Sequence, residues 1–287
     1  MSDKQPQARE KKSRSAHRAE APAEAQAHPG PPKSAWREYF ESIIVTVLMF
    51  LFFTTFIGRT VAVPTGSMQN TILIGDHFLI NKFIFAPGAP VFFLPQREIR
   101  RGDIIVFKYP GDRDHPGMDE SLGVKAYRDY YIKRVIGLPG DKIEVRGASV
   151  LINDQPLPEH RVAADQGHSV KAPLVIRDVP PRTNEPYTVF YKPETLSSLG
   201  GVAQDTTYFK YGVGQPVTVP NDSYFMMGDN RDNSADARVW GFVRRDLVIG
   251  RALFVFWSYD DSAPAGNNLL FDFFNNTRWR RTFTWIK

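Results

Sequence analysis

Three stretches of this 287-residue chain carry side chains placed where they could do chemistry. The first, VPTGSMQNTILIGD, packs Thr65, Gly66 and Ser67 into a hydroxyl-rich turn that runs at once into an apolar strand. A serine becomes a nucleophile when a neighbouring base takes its proton. TGSMQ lacks the second glycine of a nucleophile elbow, so by itself it also reads as an ordinary turn. The histidines offer little as bases: His17 and His28 lie in the N-terminal tail, and His115, His160 and His168 in Pro/Gly-rich or polar stretches. His77 alternates within a strand, and none has an obvious acid partner, so a Ser-His-Asp triad has weak support. The second stretch, DYYIKRVIGLPGD, sets Lys133 among Tyr131, Ile132, Val135 and Ile136. Burial in such company disfavours the ammonium form and draws the pKa toward neutral, which an amine needs to act as a base. In a strand Lys133 and Arg134 point to opposite faces, so one can look inward; the alternative is a lysine that snorkels to solvent. The third stretch, MGDNRDNSADARVWGF, holds Asp229, Arg231, Asp232, Asp236 and Arg238. Read alone it is a solvated turn, because two interleaved arginines count against an acidic calcium loop.

Such groups need a rigid frame, and the chain supplies one of strands. DHFLINKFIF, GDIIVFKY, YYIKRVIGL, KIEVRG, VLIND, YTVFY, QPVTV, SYFMMGD and GFVRRDLVIGRALFVFWSY are rich in β-branched and aromatic residues and broken by Gly, Pro, Asn or Asp. They predict a mainly β body. Residues 143–221 are poorer in long apolar runs and rich in proline, as in VPPRTNEP, and read as a smaller inserted β-rich domain. It interrupts a principal β domain of residues 59–142 and 222–287. Ahead of this body, WREYFESIIVTVLMFLFFTTFIGRT has Glu41 as its only charge across residues 39–57. Roughly 20 apolar residues cross a bilayer core of about 30 Å, so residues 36–58 read as a transmembrane anchor. Arg59 and TVAVP follow, not the small-residue cleavage site of a secretory signal. Lys4, Arg9, Lys11, Lys12, Arg14, Arg18, Lys33 and Arg37 precede the span while only Arg59 follows directly, which predicts a cytoplasmic N-terminus and an exported body. Residues 1–35 hold almost no large apolar side chain and read as a disordered cytoplasmic tail. A hydrophobic content of 42% allows a substantial core, and the net charge of +5 is too mild and too concentrated in the tail to point to nucleic acid. The lack of cysteine excludes disulfides, thiolate zinc sites and a cysteine nucleophile.

Taken together and in order after an apolar span, PTGSMQNTILIGD, RGDIIVFKYP, YIKRVIGLPGD and GDNRDNSADAR closely resemble the bacterial type I signal peptidases. The resemblance runs from about residue 42 to the C-terminus. It implies a membrane-bound serine endopeptidase on a mainly β fold, which removes N-terminal signal peptides from exported preproteins after a small-x-small motif. It also implies Ser67 as nucleophile and Lys133 as general base, with an oxyanion hole formed by the Ser67 N–H and the Thr65 hydroxyl. By the same resemblance Ser234 orients the lysine, and Asp236 with Arg134 and Arg238 forms a structural charge cluster. Val61, Val63, Met68, Ile72, Tyr131 and Ile132 would line shallow apolar pockets for small side chains. Preproteins and membrane lipid are the expected partners; no metal, cofactor or nucleic acid is expected. The location implied is the inner (plasma) membrane, single-pass, with the catalytic domain periplasmic. Asn70 stands where many relatives have proline, and Ala237 where a second serine is frequent. Two rivals are a non-catalytic exported β domain and a cytosolic self-cleaving Ser-Lys protease; the apolar span speaks against the latter. Finally, Phe83, Phe85, Phe92, Phe93 and Leu94 of KFIFAPGAPVFFLPQ, with Trp279 and Trp285, predict an edge that dips into the outer leaflet.

Overall fold

The structure, a computed structural model, describes residues 34–86, 96–112, 116–121, 123–197, 208–260, 262–263 and 268–287. The expectations for most of the N-terminal tail, and for Phe92, Phe93 and Leu94, lie outside the described residues. The chain divides into two compact units after Val47. Helix α1 (Ala35–Phe52) buries none of its side chains and carries an Arg37–Glu41 ion pair one turn apart, at 2.9 Å. A wider π-type turn at Phe53–Ile57 continues it, and Gly58, in extended conformation, ends it. Ala35–Thr55, with a mean hydropathy of 1.5, is long and apolar enough to cross a membrane. A helix suits that composition because it satisfies every backbone polar group within itself.

The second unit is mainly β, as the strand pattern predicts. Its principal sheet contains β1 (Gly58–Ala62), β2 (Asp76–Asn81), β3 (Ile104–Lys108) and β4 (Tyr130–Gly137). Residues 142–218 contribute β5 (Lys142–Arg146), β6 (Ser149–Ile152), β7 (Gln155–Pro156), β8 (His160–Asp165), β9 (Val175–Asp178), β10 (Thr188–Tyr191) and β11 (Val217–Thr218). The chain then returns to the principal sheet with β12 (Ser223–Met227), β13 (Val243–Arg244), β14 (Val248–Ser258) and β15 (Thr284–Trp285). The order is β1-β2-β14-β3-β4-β12-β13, antiparallel, with β15 on β14. Strand alternation sends Ile105, Phe107 and Val135 into one core, and Ile104, Val106 and Ile132 into a second with Val63, Met68, Ile72, Phe78 and Ile80. The principal sheet is therefore covered on both faces.

The strands of the middle segment form two small sheets, β11-β5-β6-β7 and β10-β8-β9. Ile143, Val145, Val150, Val189 and Tyr191 nevertheless belong to the same core as Ile105 and Val135. β1, β8, β9 and the helix Leu269–Asn276, whose Asn268 cap accepts the Leu270 N–H at 3.0 Å, went unanticipated in the sequence.

Candidate active site

The turn that carries Ser67 is a single 3₁₀ turn, Gly66–Met68, entered from Thr65 in extended conformation. Two side chains following the serine, Met68 and Ile72, insert fully into the second core and anchor the turn from below. From the other side comes the segment after β12. The Asn230 N–H donates to the Ser67 carbonyl, and the Asn230 Nδ2 to the Gly66 carbonyl, each at 3.1 Å. Gly228 lets this segment approach so closely. A Cβ there would lie 2.5 Å from the Ser67 carbonyl oxygen and would also meet the Ser234 hydroxyl.

Lys133 sits on β4 opposite Ile105 of β3, and β12 pairs with β4 on its other side from the next residue, Arg134, onward. Its side chain is buried, and Nζ lies 2.5 Å from the Ser67 Oγ, itself on a buried residue. The Tyr131 ring centre is 5.6 Å from Nζ. Burial lowers the lysine pKa to about 8; Asp236 pushes it back up, Arg238 down, and Asp229 up. The amine is therefore about one-tenth neutral at pH 7, far more than a free lysine, and its contact with the hydroxyl has the geometry of a nucleophile–base pair. His77 has no comparable placement: it stacks on Trp257 with ring centres 4.7 Å apart.

The charged stretch is not a solvated turn, because Asp229, Arg231, Asp236 and Arg238 are all buried. The expected cluster of Asp236 with both Arg134 and Arg238 needs correction. Arg134 pairs instead with Asp229, Nε to Oδ1 at 2.8 Å and Nη2 to Oδ2 at 2.6 Å. Asp236 pairs with Arg238, two residues on, by two contacts of 2.8 Å. The division has a local cause. Asp236 caps the short helix Ala237–Trp240 by accepting the Arg238 N–H, and it also accepts the Gly228 N–H at 3.1 Å, so these partners lie in the segment after β12. Burial would raise the Asp236 pKa, but the Arg238 charge and hydrogen bonds hold it below the usual carboxylate value. A third pair, Arg231 with Glu159, includes the Tyr191 hydroxyl as a further acceptor at 2.9 Å from Arg231 Nη1. Nothing in the sequence linked Glu159 to that loop; the pairing crosses 72 positions.

The remaining predicted residues are placed as follows. Thr65 is exposed, two positions before Ser67. Ser234 is buried beside Gly228, and its Oγ makes no hydrogen bond to any described residue, Lys133 included. Val63, Met68, Ile72 and Ile132 are buried in the second core, with Val61 half-buried against it. Tyr131 is separate: it packs on the first core and stacks on Tyr109, ring centres 4.5 Å apart. A cleft of about 1100 Å³ bordered by Lys82, Phe85, Arg97, Asp222, Arg244 and Arg245 contains none of these residues. Side-chain chemistry, not cavity size, marks the site.

Residues 36–257 match the model of the family described as signal peptidase, peptidase S26. A signal peptidase I of Leptolyngbya laminosa is 30% identical over 239 residues, 82% of this chain and 87% of that protein. One of Rickettsia typhi is 32% identical over 234 residues, 77% of this chain and 80% of that protein. A solved signal peptidase I structure from Enterococcus faecalis is 24% identical, covers 54% of this chain and 97% of its own, and has a TM-score of 0.28.

Proposed function

The chain belongs to the signal peptidase family, peptidase S26, and we propose that it is a membrane-bound serine endopeptidase that cuts exported preproteins with a Ser67–Lys133 dyad. The observation that carries this reading is the 2.5 Å approach of Lys133 Nζ to Ser67 Oγ between two buried residues. Ser67 Oγ attacks the carbonyl carbon of the last signal-peptide residue while neutral Lys133 accepts the hydroxyl proton. The Ser67 N–H and the Thr65 hydroxyl donate to the oxyanion of the tetrahedral intermediate, each such donor being worth about 3 kcal/mol in comparable sites. Collapse breaks the peptide bond, and the departing amine takes its proton from Lys133. Water then attacks the acyl-enzyme while Lys133 accepts its proton. The ester bond to Ser67 breaks, Lys133 returns that proton to the Ser67 Oγ, and the signal peptide leaves as a carboxylic acid that ionises to solvent.

The unused hydrogen-bonding capacity of Ser234 beside this pair supports its role in holding Lys133 during turnover. The Asp236–Arg238 and Arg134–Asp229 pairs brace the loop and β4. Val61, Val63, Met68, Ile72, Tyr131 and Ile132 are proposed to shape pockets that admit only small side chains, hence cleavage after a small-x-small motif. The apolar helix supports a single-pass anchor in the inner membrane, N-terminus cytoplasmic and body outside. Within that body residues 59–142 and 222–287 form the catalytic domain, and residues 143–221 the insertion.

The test is cleavage of a purified preprotein by the full chain and its variants. Ser67→Ala, Lys133→Ala and Lys133→Arg should each abolish processing with circular dichroism unchanged, since a guanidinium stays charged and cannot accept the proton. Near-normal turnover in any of the three overturns the assignment.

A further inference from the structure

Asn70, three positions after the nucleophile, adopts a left-handed backbone conformation, φ +69°. A side chain other than glycine costs roughly 1–2 kcal/mol there, least for asparagine, and proline, locked near −65°, cannot adopt it at all. A proline is thus incompatible with this backbone, and the asparagine side chain has work of its own. Its amide makes two bonds to one residue of the middle segment: Oδ1 accepts the Leu174 N–H at 2.9 Å, and Nδ2 donates to the Leu174 carbonyl at 3.4 Å. A side-chain amide here occupies the place of a neighbouring strand. Gln69, fully buried, reinforces the contact by donating to the Ala172 carbonyl.

What Leu174 is attached to gives the contact its meaning. Its side chain is buried in a small core with Val162, Ala164 and Phe190. The Phe190 N–H donates to the Asp229 carbonyl at 2.8 Å, and the next residue, Asn230, donates its N–H to the carbonyl of Ser67. A closed circuit results: Ser67, Asn70, Leu174, Phe190, Asn230 and back to Ser67. The middle segment therefore holds the Ser67 turn directly at Asn70 and, through the Phe190 bond to Asp229 in the loop after β12, indirectly at Ser67.

We propose that Asn70 is a positioning residue that fixes the Ser67 turn to the middle segment and so holds Ser67 Oγ in reach of Lys133. The proposal rests on the dyad reading above. Misplacement of a reacting atom by about 1 Å lowers rate by up to about a hundredfold, and the loss falls on kcat when binding surfaces stay intact. Asn70→Gly keeps the left-handed backbone and removes both bonds. In the full-length protein acting on a soluble signal-sequence peptide it should lower kcat at least about tenfold, with KM within about twofold. Asn70→Ser, too short to reach Leu174, should do the same. Asn70→Asp keeps the acceptor for the shorter of the two bonds and should restore most of kcat. Each kcat is taken per folded molecule, measured by circular dichroism. Wild-type kcat in Asn70→Gly or Asn70→Ser overturns the proposal. So does an equal loss in Asn70→Asp, or a loss matched by the unfolded fraction. Ser67→Ala in the same assay separates the two claims: turnover there overturns the dyad, whereas an inactive Ser67→Ala beside a fully active Asn70→Gly overturns only the clamp.

Discussion

Lys133 sits where a charge is unwelcome, and the effect on stability can be measured. Its folded pKa of about 8 lies below the 10.5 of a free side chain, with burial the first cause. The unfolded chain thus binds more protons between those values, and stability rises with pH across that window. Below it the penalty is fully present, about 3 kcal/mol. Lys133→Met, inactive, should therefore be the more stable protein at pH 7, and its advantage should vanish as pH climbs from about 8 to about 10.5; denaturant unfolding at a series of pH values checks this. At Thr65, Thr65→Val should lower kcat by about 10²–10³ with little change in KM, while Thr65→Ser is tolerated; a shift in KM alone would make the side chain a pocket wall. A lysine in apolar company was legible in the sequence from its flanking residues alone. Its pairing with Ser67 was not, because 66 positions separate the two; family resemblance supplied that expectation. The partner of Arg134 was equally hidden, since Asp229 lies 95 positions away.

At the scale of elements, Ser67 is held by a contact between two turns, and Gly228 sets how near they come. Gly228→Ala would drive a methyl group into the Ser67 carbonyl and the Ser234 hydroxyl at once. Overpacking of this kind typically costs 1–3 kcal/mol, and here it should also lower kcat, with thermal unfolding and peptide turnover as the two readouts. Breaking the Glu159–Arg231 pair from the other side by Glu159→Gln leaves a guanidinium buried against a neutral amide and should destabilise by about 3–5 kcal/mol. Strands β2 to β6 and β10 to β14 were readable from β-branched and aromatic runs. β8 was not, because HRVAAD is neither alternating nor apolar and is stabilised by parallel pairing with β10, a long-range partner. The sheet order was equally hidden: β14 lies between β2 and β3, a neighbourhood that no local pattern encodes.

For the whole molecule, the proposed action on membrane-tethered preproteins calls for a site at the membrane surface. Beyond the apolar helix, Phe271, Phe274, Trp279, Phe283 and Trp285 are all exposed, and Arg280 lies among them in sequence. Trp, Phe and Arg together suit a headgroup region. The body lacking residues 1–58 should therefore still bind anionic lipid vesicles. Replacing Phe271 and Trp285 with serine should weaken that binding and slow cleavage of membrane-bound precursors more than of short peptides; equal slowing of both would contradict a lipid contact. The central claim, that a neutral Lys133 takes the proton of Ser67, is tested most directly by the pH dependence of kcat/KM for a soluble signal-sequence peptide. The account predicts a rising limb with a midpoint near the lysine's folded pKa of about 8. A limb that tracks free lysine near 10.5, or a rate indifferent to pH across this range, would contradict it.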